Sequence, residues 1–77
     1  MLGLQYTGMA LRHWKEWLPT MYREMKEDGT LNLEAQAASK RAVDQIVLLM
    51  ESGYQRHEAE EVVLPEVIRL RPERGFE

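Results

Sequence analysis

Apolar residues recur at helical spacing along most of this chain, and the clearest example lies near its end. Between residues 57 and 70 the apolar residues recur mostly at intervals of three and four positions, and glutamates lie between them. These apolar residues are Ala59, Val62, Val63, Val67 and Leu70. This spacing is typical of an amphipathic helix that lays one apolar stripe against a neighbouring element. The pattern predicts a helix over residues 54–70, and the apolar segment 46–50 is its expected partner within the chain.

Pro65 lies inside this predicted helix. Proline removes a backbone donor and its ring clashes with the preceding turn, which costs about 3 kcal/mol in a helix interior. On a helical wheel the ring points away from the apolar stripe, so one expectation is a helix that bends with Pro65 facing solvent. The other is that the helix stops at Val63 and a short second helix begins at Pro65.

Another proline divides the first helical segment. A helix over residues 9–18 is predicted by three residues on one face: Leu11, Trp14 and Leu18. Pro19 is suited to the first turn of a new helix over residues 19–28. The same apolar face nevertheless continues with Met21, Tyr22 and Met25. One kinked helix and two abutting short helices both fit this pattern.

The longest predicted helix runs over residues 32–52. Gly29 can end the helix before it in the left-handed conformation, Thr30 or Asn32 can cap its start, and Gly53 follows its end. One apolar stripe joins Ala35, Ala38, Ala42, Ile46, Leu49 and Met50, widened by Val43 and Val47. The alanines permit close approach of a neighbouring helix, and the bulky second half is expected at the thickest part of the core.

Together these elements predict an all-α fold, a small antiparallel bundle of three main helices, with the first broken or kinked at Pro19 and the last at Pro65. Residues 1–77 form a single helical domain, in which residues 1–8 are a loose N-terminal arm with Thr7 as a cap, and residues 71–77 a frayed C-terminal tail. A domain of this size buries only about 60% of its unfolded surface. Since the chain has no cysteine for a disulfide, self-association as a homodimer is expected to enlarge the core.

Composition narrows the class of protein. A hydrophobic fraction of 44% is too high for a disordered chain, and a net charge of −3 does not favour DNA or an anionic membrane as a partner. The longest uninterrupted apolar run, residues 46–50, is too short to cross a bilayer, and the first residues do not resemble a signal peptide. We therefore expect a cytoplasmic protein without a membrane partner.

No stretch carries a complete catalytic motif. His57 and Glu61 have the i, i+4 spacing of two metal ligands, and Glu60 lies beside them. A zinc or two-metal site needs three or four converging ligands, however, and acidic residues near a helix start are explained by the helix dipole. We expect no enzymatic activity, no metal and no cofactor.

Two groups of residues are candidates for contact with macromolecules. Large aromatic side chains are enriched at binding interfaces as well as in cores, and the chain offers Trp14, Trp17, Tyr22 and Tyr54. Basic side chains that could contact nucleic acid are Lys40, Arg41, Arg69, Arg71 and Arg74. The last three arginines equally suit the negative C-terminal end of the final helix, so the charge pattern favours DNA only weakly.

Three blocks resemble the transposon-encoded TnpV family. The first comprises His13, Leu18, Pro19, Tyr22, Gly29 and Leu31, and the second is the long middle helix. The third is the segment 59–64 followed by residues 66–68, which is similar to the family's closing AEEIVL-x-E-L-I motif but is interrupted by Pro65. The resemblance implies a bacterial mobile-element or prophage origin and no catalytic residues. The function we expect first is non-enzymatic and acts by protein–protein contact. The resemblance also implies an alternative function, that of an excisionase-like accessory protein that binds DNA.

Overall fold

The computed structural model describes residues 3–71, which form four α-helices and no strand. Helix α1 spans Thr7–Trp17, α2 Pro19–Asp28, α3 Leu31–Glu51 and α4 Arg56–Val67. The predicted all-α class is confirmed for these residues. The structure has four helices rather than the predicted three main ones, because the first segment, broken at Leu18–Pro19, forms two separate helices. Most of the predicted tail, residues 72–77, lies outside the described residues.

Leu18 separates α1 from α2. Its backbone angles, φ −133° and ψ 54°, are not helical, and its amide donates to the Trp14 carbonyl oxygen at 2.8 Å, which closes α1. Pro19 then occupies the first position of α2, where its missing N–H costs no helical hydrogen bond. The structure therefore has two abutting helices rather than one kinked helix, and the Leu18 side chain enters the core between them.

Helix α3 is the centre of the fold, since it contacts each of the other three helices. Its small residues Ala35, Ala38 and Ala42 have no exposed surface. A methyl side chain lets neighbouring backbones come close, so these alanines set the tight packing of the N-terminal half, as predicted. Gly29, with φ 76°, ends α2 in the predicted left-handed conformation, and Thr30 precedes α3.

The expectation that the second half of α3 lies at the thickest part of the core is wrong. Ile46 is buried, but Val47, Leu48 and Met50 are exposed. The reason is the position of α1, whose preceding residue Tyr6 donates its amide to Ser39 Oγ at 3.0 Å. Helix α1 therefore starts beside the middle of α3 and leaves the second half to be covered by α4 alone.

Helix α4 continues through Pro65 to Val67, so it does not end at Val63. Pro65 is exposed, which confirms its predicted solvent-side position. The predicted apolar stripe needs a correction, because Val62 is exposed whereas Leu64 and Ile68 are buried. The buried face is rotated because side chains from the N-terminal region approach α4 on the side of Glu60 and Ile68, away from Val62.

The predicted loose arm is in part ordered. Tyr6 is buried in the core, and α1 already begins at Thr7, so Tyr6 rather than Thr7 is the residue before the helix. The Tyr6 ring crosses from α3 to α4, where its hydroxyl donates to Glu60 Oε2 at 2.6 Å. The Thr7 hydroxyl is buried without a hydrogen-bond partner in the described part of the chain, so it cannot act as the predicted cap.

Trp14 ties α1 to the far end of α4. Its side chain is 4% exposed, and its indole N–H donates to the Ile68 carbonyl oxygen at 2.8 Å. One residue earlier, His13 Nε2 lies 2.8 Å from the Leu70 carbonyl oxygen. A carbonyl oxygen only accepts, so His13 donates this bond. Two adjacent side chains of α1 thus hold the backbone that follows α4.

Replacing Trp14 with phenylalanine tests this connection. The Trp14→Phe variant keeps an aromatic ring but leaves the buried Ile68 carbonyl without its donor. We expect the free energy of unfolding to fall by about 1–3 kcal/mol, measured by urea titration. The exposed Tyr54 provides the control: Tyr54→Phe should change stability by less than about 0.5 kcal/mol. Equal stability of the two variants would show that the indole bond contributes little.

Candidate functional site

The difference in length between α1 and α3 creates the most distinctive surface of the molecule. Helix α3 has 21 residues and α1 only 11, which correspond to lengths of about 31 Å and 16 Å. The start of α1 lies beside Ser39, and Leu11 borders the same surface depression as Leu31. Helix α1 therefore runs antiparallel to α3 and covers its N-terminal half only. The surface of α3 that a longer α1 would cover is therefore left without a helix of residues 3–71 on that side.

An apolar groove occupies this open position, and we refer to it as the α3 groove. Its volume is about 260 Å³ and its lining comprises Gln5, Tyr6, Val43, Ile46, Val47, Met50 and Arg56. The aliphatic wall comes from α3, whereas Gln5 and Tyr6 close the end nearest α1. Arg56, the first residue of α4, completes the lining beside the Tyr6 hydroxyl.

The apolar side chains around the α3 groove are substantially exposed. The exposed fractions are 45% for Val47 and 43% for Met50, which line the groove. Leu48 and Tyr54, which do not line it but belong to the same end of α3, are 62% and 45% exposed. Single exposed apolar residues are normal on a protein surface, but a cluster of them on one helix end is typical of a contact surface. The α3 groove and its neighbours therefore form the strongest candidate for a binding site in the described chain.

A small polar network closes the groove. The Tyr6 hydroxyl donates to Glu60 Oε2 at 2.6 Å, and Arg56 Nε lies 3.7 Å from the same oxygen. Burial raises the pKa of the Tyr6 phenol, and the adjacent Glu60 carboxylate raises it further because a phenolate there would face a negative charge. Tyr6 therefore stays neutral, and its hydroxyl donates a hydrogen bond to Glu60. The network positions the groove wall and offers no activated nucleophile.

The four predicted interface aromatics do not form one surface. Trp14 lies in the core and cannot reach a partner from there. Trp17, at the end of α1, is 37% exposed, and Tyr22 on α2 is half-buried against the core. Tyr54 follows the end of α3, where its amide donates to the Leu49 carbonyl oxygen, so of these four it is the one at the same end of α3 as the α3 groove.

The predicted basic residues are divided between two sides of the molecule. Lys40 borders a depression with Gly3 and Val43, whereas Arg41 lines another cleft that includes Glu66 and Leu70. Consecutive helical residues point about 100° apart, so Lys40 and Arg41 cannot act as a pair.

The arginines after α4 lie on the side of Arg41. Arg69 and Arg71 are exposed and border a cleft that also contains Glu66 and Leu70. The five predicted nucleic-acid contacts therefore do not form one continuous surface. Arg74 lies outside the described residues.

The acidic residues and the histidine near the start of α4 do not converge on one point, because each has a different partner or faces solvent. Glu60 accepts the Tyr6 hydrogen bond, and Glu58 accepts one from the Gln55 amide at 2.8 Å, which caps α4. His57 and Glu61 are exposed on the surface. Within residues 3–71 no group of three His, Asp or Glu side chains is arranged to hold a metal ion.

None of the four described helices has both the length and the apolar content needed to cross a bilayer.

The sequence pattern identified the apolar α3 residues of the groove but predicted the wrong environment for them. Val43, Val47 and Met50 belong to the predicted apolar stripe, which was expected to be covered inside the molecule. The available signal was length, since α1 is about half as long as α3 and cannot cover all of it. Tyr6 was missed because one aromatic residue in a glycine-containing arm carries no periodic pattern.

Comparison with protein-family models, curated proteins and solved structures finds no match to this chain. The resemblance to the TnpV family therefore stays a prediction that rests on the motifs themselves.

The Tyr6–Glu60 contact predicts a specific pH dependence. The pKa of Tyr6 is raised above its usual value of 10.0, so the unfolded chain loses this proton at lower pH than the folded protein. The hydrogen bond therefore contributes its full stabilisation below pH 10.0, the usual pKa of tyrosine, which applies to the unfolded chain. This stabilisation is lost as the pH rises through the higher pKa of the folded state. We expect the stability advantage of the native chain over Tyr6→Phe to stay constant up to about pH 10 and then to shrink. Urea titrations of both proteins at increasing pH provide the measurement, and an advantage that grows above pH 10 would contradict this account.

Proposed function

We propose that this chain is a small, non-enzymatic helical protein that acts by protein–protein contact and associates with itself as a homodimer. The observation that supports this function best is the α3 groove, because it exposes the apolar side of the central helix next to the core. In a folded monomer this surface contacts water, although its composition is that of a helix-packing face. Burial against a partner would remove these apolar side chains from water, which is favourable.

The shape of the molecule supports the same proposal. The described Cα atoms extend 40 × 30 × 13 Å, with a radius of gyration of 13.1 Å, whereas a compact domain of this length has a value of about 11.5 Å. A flat molecule has a large surface relative to its interior, which limits the core that one copy can form. Self-association is a common way for a small chain without disulfides to gain buried apolar area.

The hydrophobic contribution is large enough to matter. Complete burial of an aliphatic side chain contributes about 1.5–3 kcal/mol. Val47, Met50 and Tyr54 each have an exposed fraction of 43% to 45%, so each can contribute part of that value. Two copies contribute such residues twice in a symmetric dimer. The total is in the range that offsets the cost of association, which is about 4–15 kcal/mol.

Val47→Lys tests the proposed surface. Val47 is 45% exposed, so a lysine there can reach water in a monomer, but it would carry a charge into a dimer interface. We expect the native chain to elute as a dimer in size-exclusion chromatography with light scattering at tens of micromolar, and the variant as a monomer. Both should have the same helix content by circular dichroism.

Leu33→Lys is the matched control for this experiment. Leu33 is also on α3 and is 67% exposed, but it lies at the opposite end of the helix from the α3 groove. This variant should retain the native mass in solution. The proposal fails if the native chain is a strict monomer at these concentrations, or if both lysine variants remain dimeric.

The alternative function, an accessory protein that binds DNA, retains one specific observation in its favour. Arg41, Arg69 and Arg71 border two adjoining clefts that share Glu66 and Leu70, so three basic side chains lie along one edge of the molecule. Phosphate contacts from arginine are the main source of affinity for DNA. The shared Glu66 and the net charge of −3 act against this use of the edge.

A binding measurement at low salt tests the alternative directly. Electrostatic attraction to duplex DNA is strongest there, so fluorescence anisotropy with a labelled duplex in 20 mM salt should detect any such function. If the basic edge binds DNA, the double substitution Arg69→Ala, Arg71→Ala should weaken binding and reduce its salt dependence, while Lys40→Ala on the other side should change it little. Absence of binding by the native chain at low salt would eliminate this function.

A further inference from the structure

We infer that α2 is a movable wall of the cleft beside Trp14, and that it opens as a separate unit while α1, α3 and α4 stay folded. This conformational change goes beyond the proposed function and does not depend on self-association. In it, the segment between the two junctions of α2, Leu18 and Gly29, leaves the core and returns to it.

The apolar contacts of α2 come from partly buried side chains. Helices α1, α3 and α4 each contain buried residues, whereas α2 contains none. Its apolar residues Met21, Tyr22 and Met25 pack against the core and keep part of their surface in water. The free energy of a local opening follows the apolar contacts that the segment gives up, so opening α2 is less costly than opening the other helices.

A cleft separates α2 from α4. Its volume is about 220 Å³, with Met21 and Met25 of α2 in its lining together with Trp14, Val67 and Leu70. Among the described helices, α2 contacts α1 and α3 but not α4. Opening of α2 therefore breaks no helix contact with α4, and the packing of α4 on α3 is unchanged.

The other three helices are joined by hydrogen bonds in which α2 takes no part. The Tyr6 amide donates to Ser39 Oγ, and its hydroxyl donates to Glu60 Oε2, which connects the start of α1 to α3 and α4. The Trp14 indole donates to the Ile68 carbonyl oxygen just after α4. These bonds can persist when α2 leaves, so three helices remain held together.

The helices on either side of α2 are also closed without it. The Leu18 amide donates to the Trp14 carbonyl oxygen at the end of α1, and the Glu34 amide donates to the Thr30 carbonyl oxygen at the start of α3. Neither bond uses a residue of α2. A helix of 10 residues is only marginally stable alone in water, so we expect α2 to lose its own helical hydrogen bonds in the open state.

Two glycine substitutions test this opening. Gly29 follows α2 and Gly53 follows α3, with φ angles of 76° and 109°, and a Cβ at either position would meet no atom within 4 Å beyond its chain neighbours. Alanine therefore strains the backbone at both positions without a clash. Opening of α2 releases this strain at Gly29 only, whereas global unfolding releases it at both.

Hydrogen exchange of the backbone amides, followed by NMR, provides the measurement. We expect Gly29→Ala to raise the exchange rates of the α2 amides about tenfold. Gly53→Ala is the matched control and should leave the α2 rates unchanged.

The native chain provides a second measurement, the dependence of exchange on low concentrations of urea. The urea dependence reports the surface exposed in the opening that permits exchange. The α2 amides should therefore respond less steeply than the buried α3 amides of Ala38 and Ala42, which we expect to exchange through global unfolding.

Each outcome decides for or against a separate opening. Acceleration of the α2 amides by Gly29→Ala alone, with a shallower urea dependence, would establish it. Equal acceleration by both variants, with the same urea dependence as α3, would show that α2 opens only when the whole protein unfolds. No acceleration by either variant would show that its amides exchange through smaller fluctuations, which also overturns the inference.

Discussion

The fold depends on the position of one tryptophan. Trp14 fills the space between α1, α3 and the end of α4, and its indole N–H satisfies the Ile68 carbonyl, 54 residues later in the chain. The neighbouring His13 holds the Leu70 carbonyl in the same way. These bonds connect the first and last helices, which lie on different sides of α3. Without them the end of α4 would be attached through α3 alone, and the core would lose its closure at that end.

This closure at one end leaves the other end open. The alanines Ala35, Ala38 and Ala42 allow tight packing where α1, α2 and α4 all approach α3. Beyond Ser39, α4 is the one helix of residues 3–71 that packs against α3. The larger side chains of the second half thus meet only α4 and the tyrosine that precedes α1. The α3 groove therefore exists because α1 is too short to cover the second half of α3, as well as because the side chains there are apolar.

The sequence predicted the local elements well because their causes are local. Pro19 and Gly29 mark boundaries through backbone restrictions that act on single residues, and the predicted bounds of α2 and α3 agree with the structure to within one residue. Burial was predicted less well. Periodicity indicates which side of a helix is apolar, but it does not indicate which neighbours reach that side, so Val62 was expected inside and Ile68 was not. The Tyr6–Glu60 and Trp14–Ile68 contacts join residues 54 positions apart and leave no signal in the sequence.

Helix α2 is the least buried of the four described helices, which bears on how easily it can open. None of its residues is fully buried, and it contacts only α1 and α3. The free energy needed to open part of a protein follows the apolar contacts that the part makes, so we expect α2 to be the least costly of the four helices to open. Its junctions with the rest, at Leu18 and Gly29, are single residues with non-helical backbone angles. Such an excursion would uncover Met21 and Met25 and the side of Trp14 that faces them, an apolar surface distinct from the α3 groove.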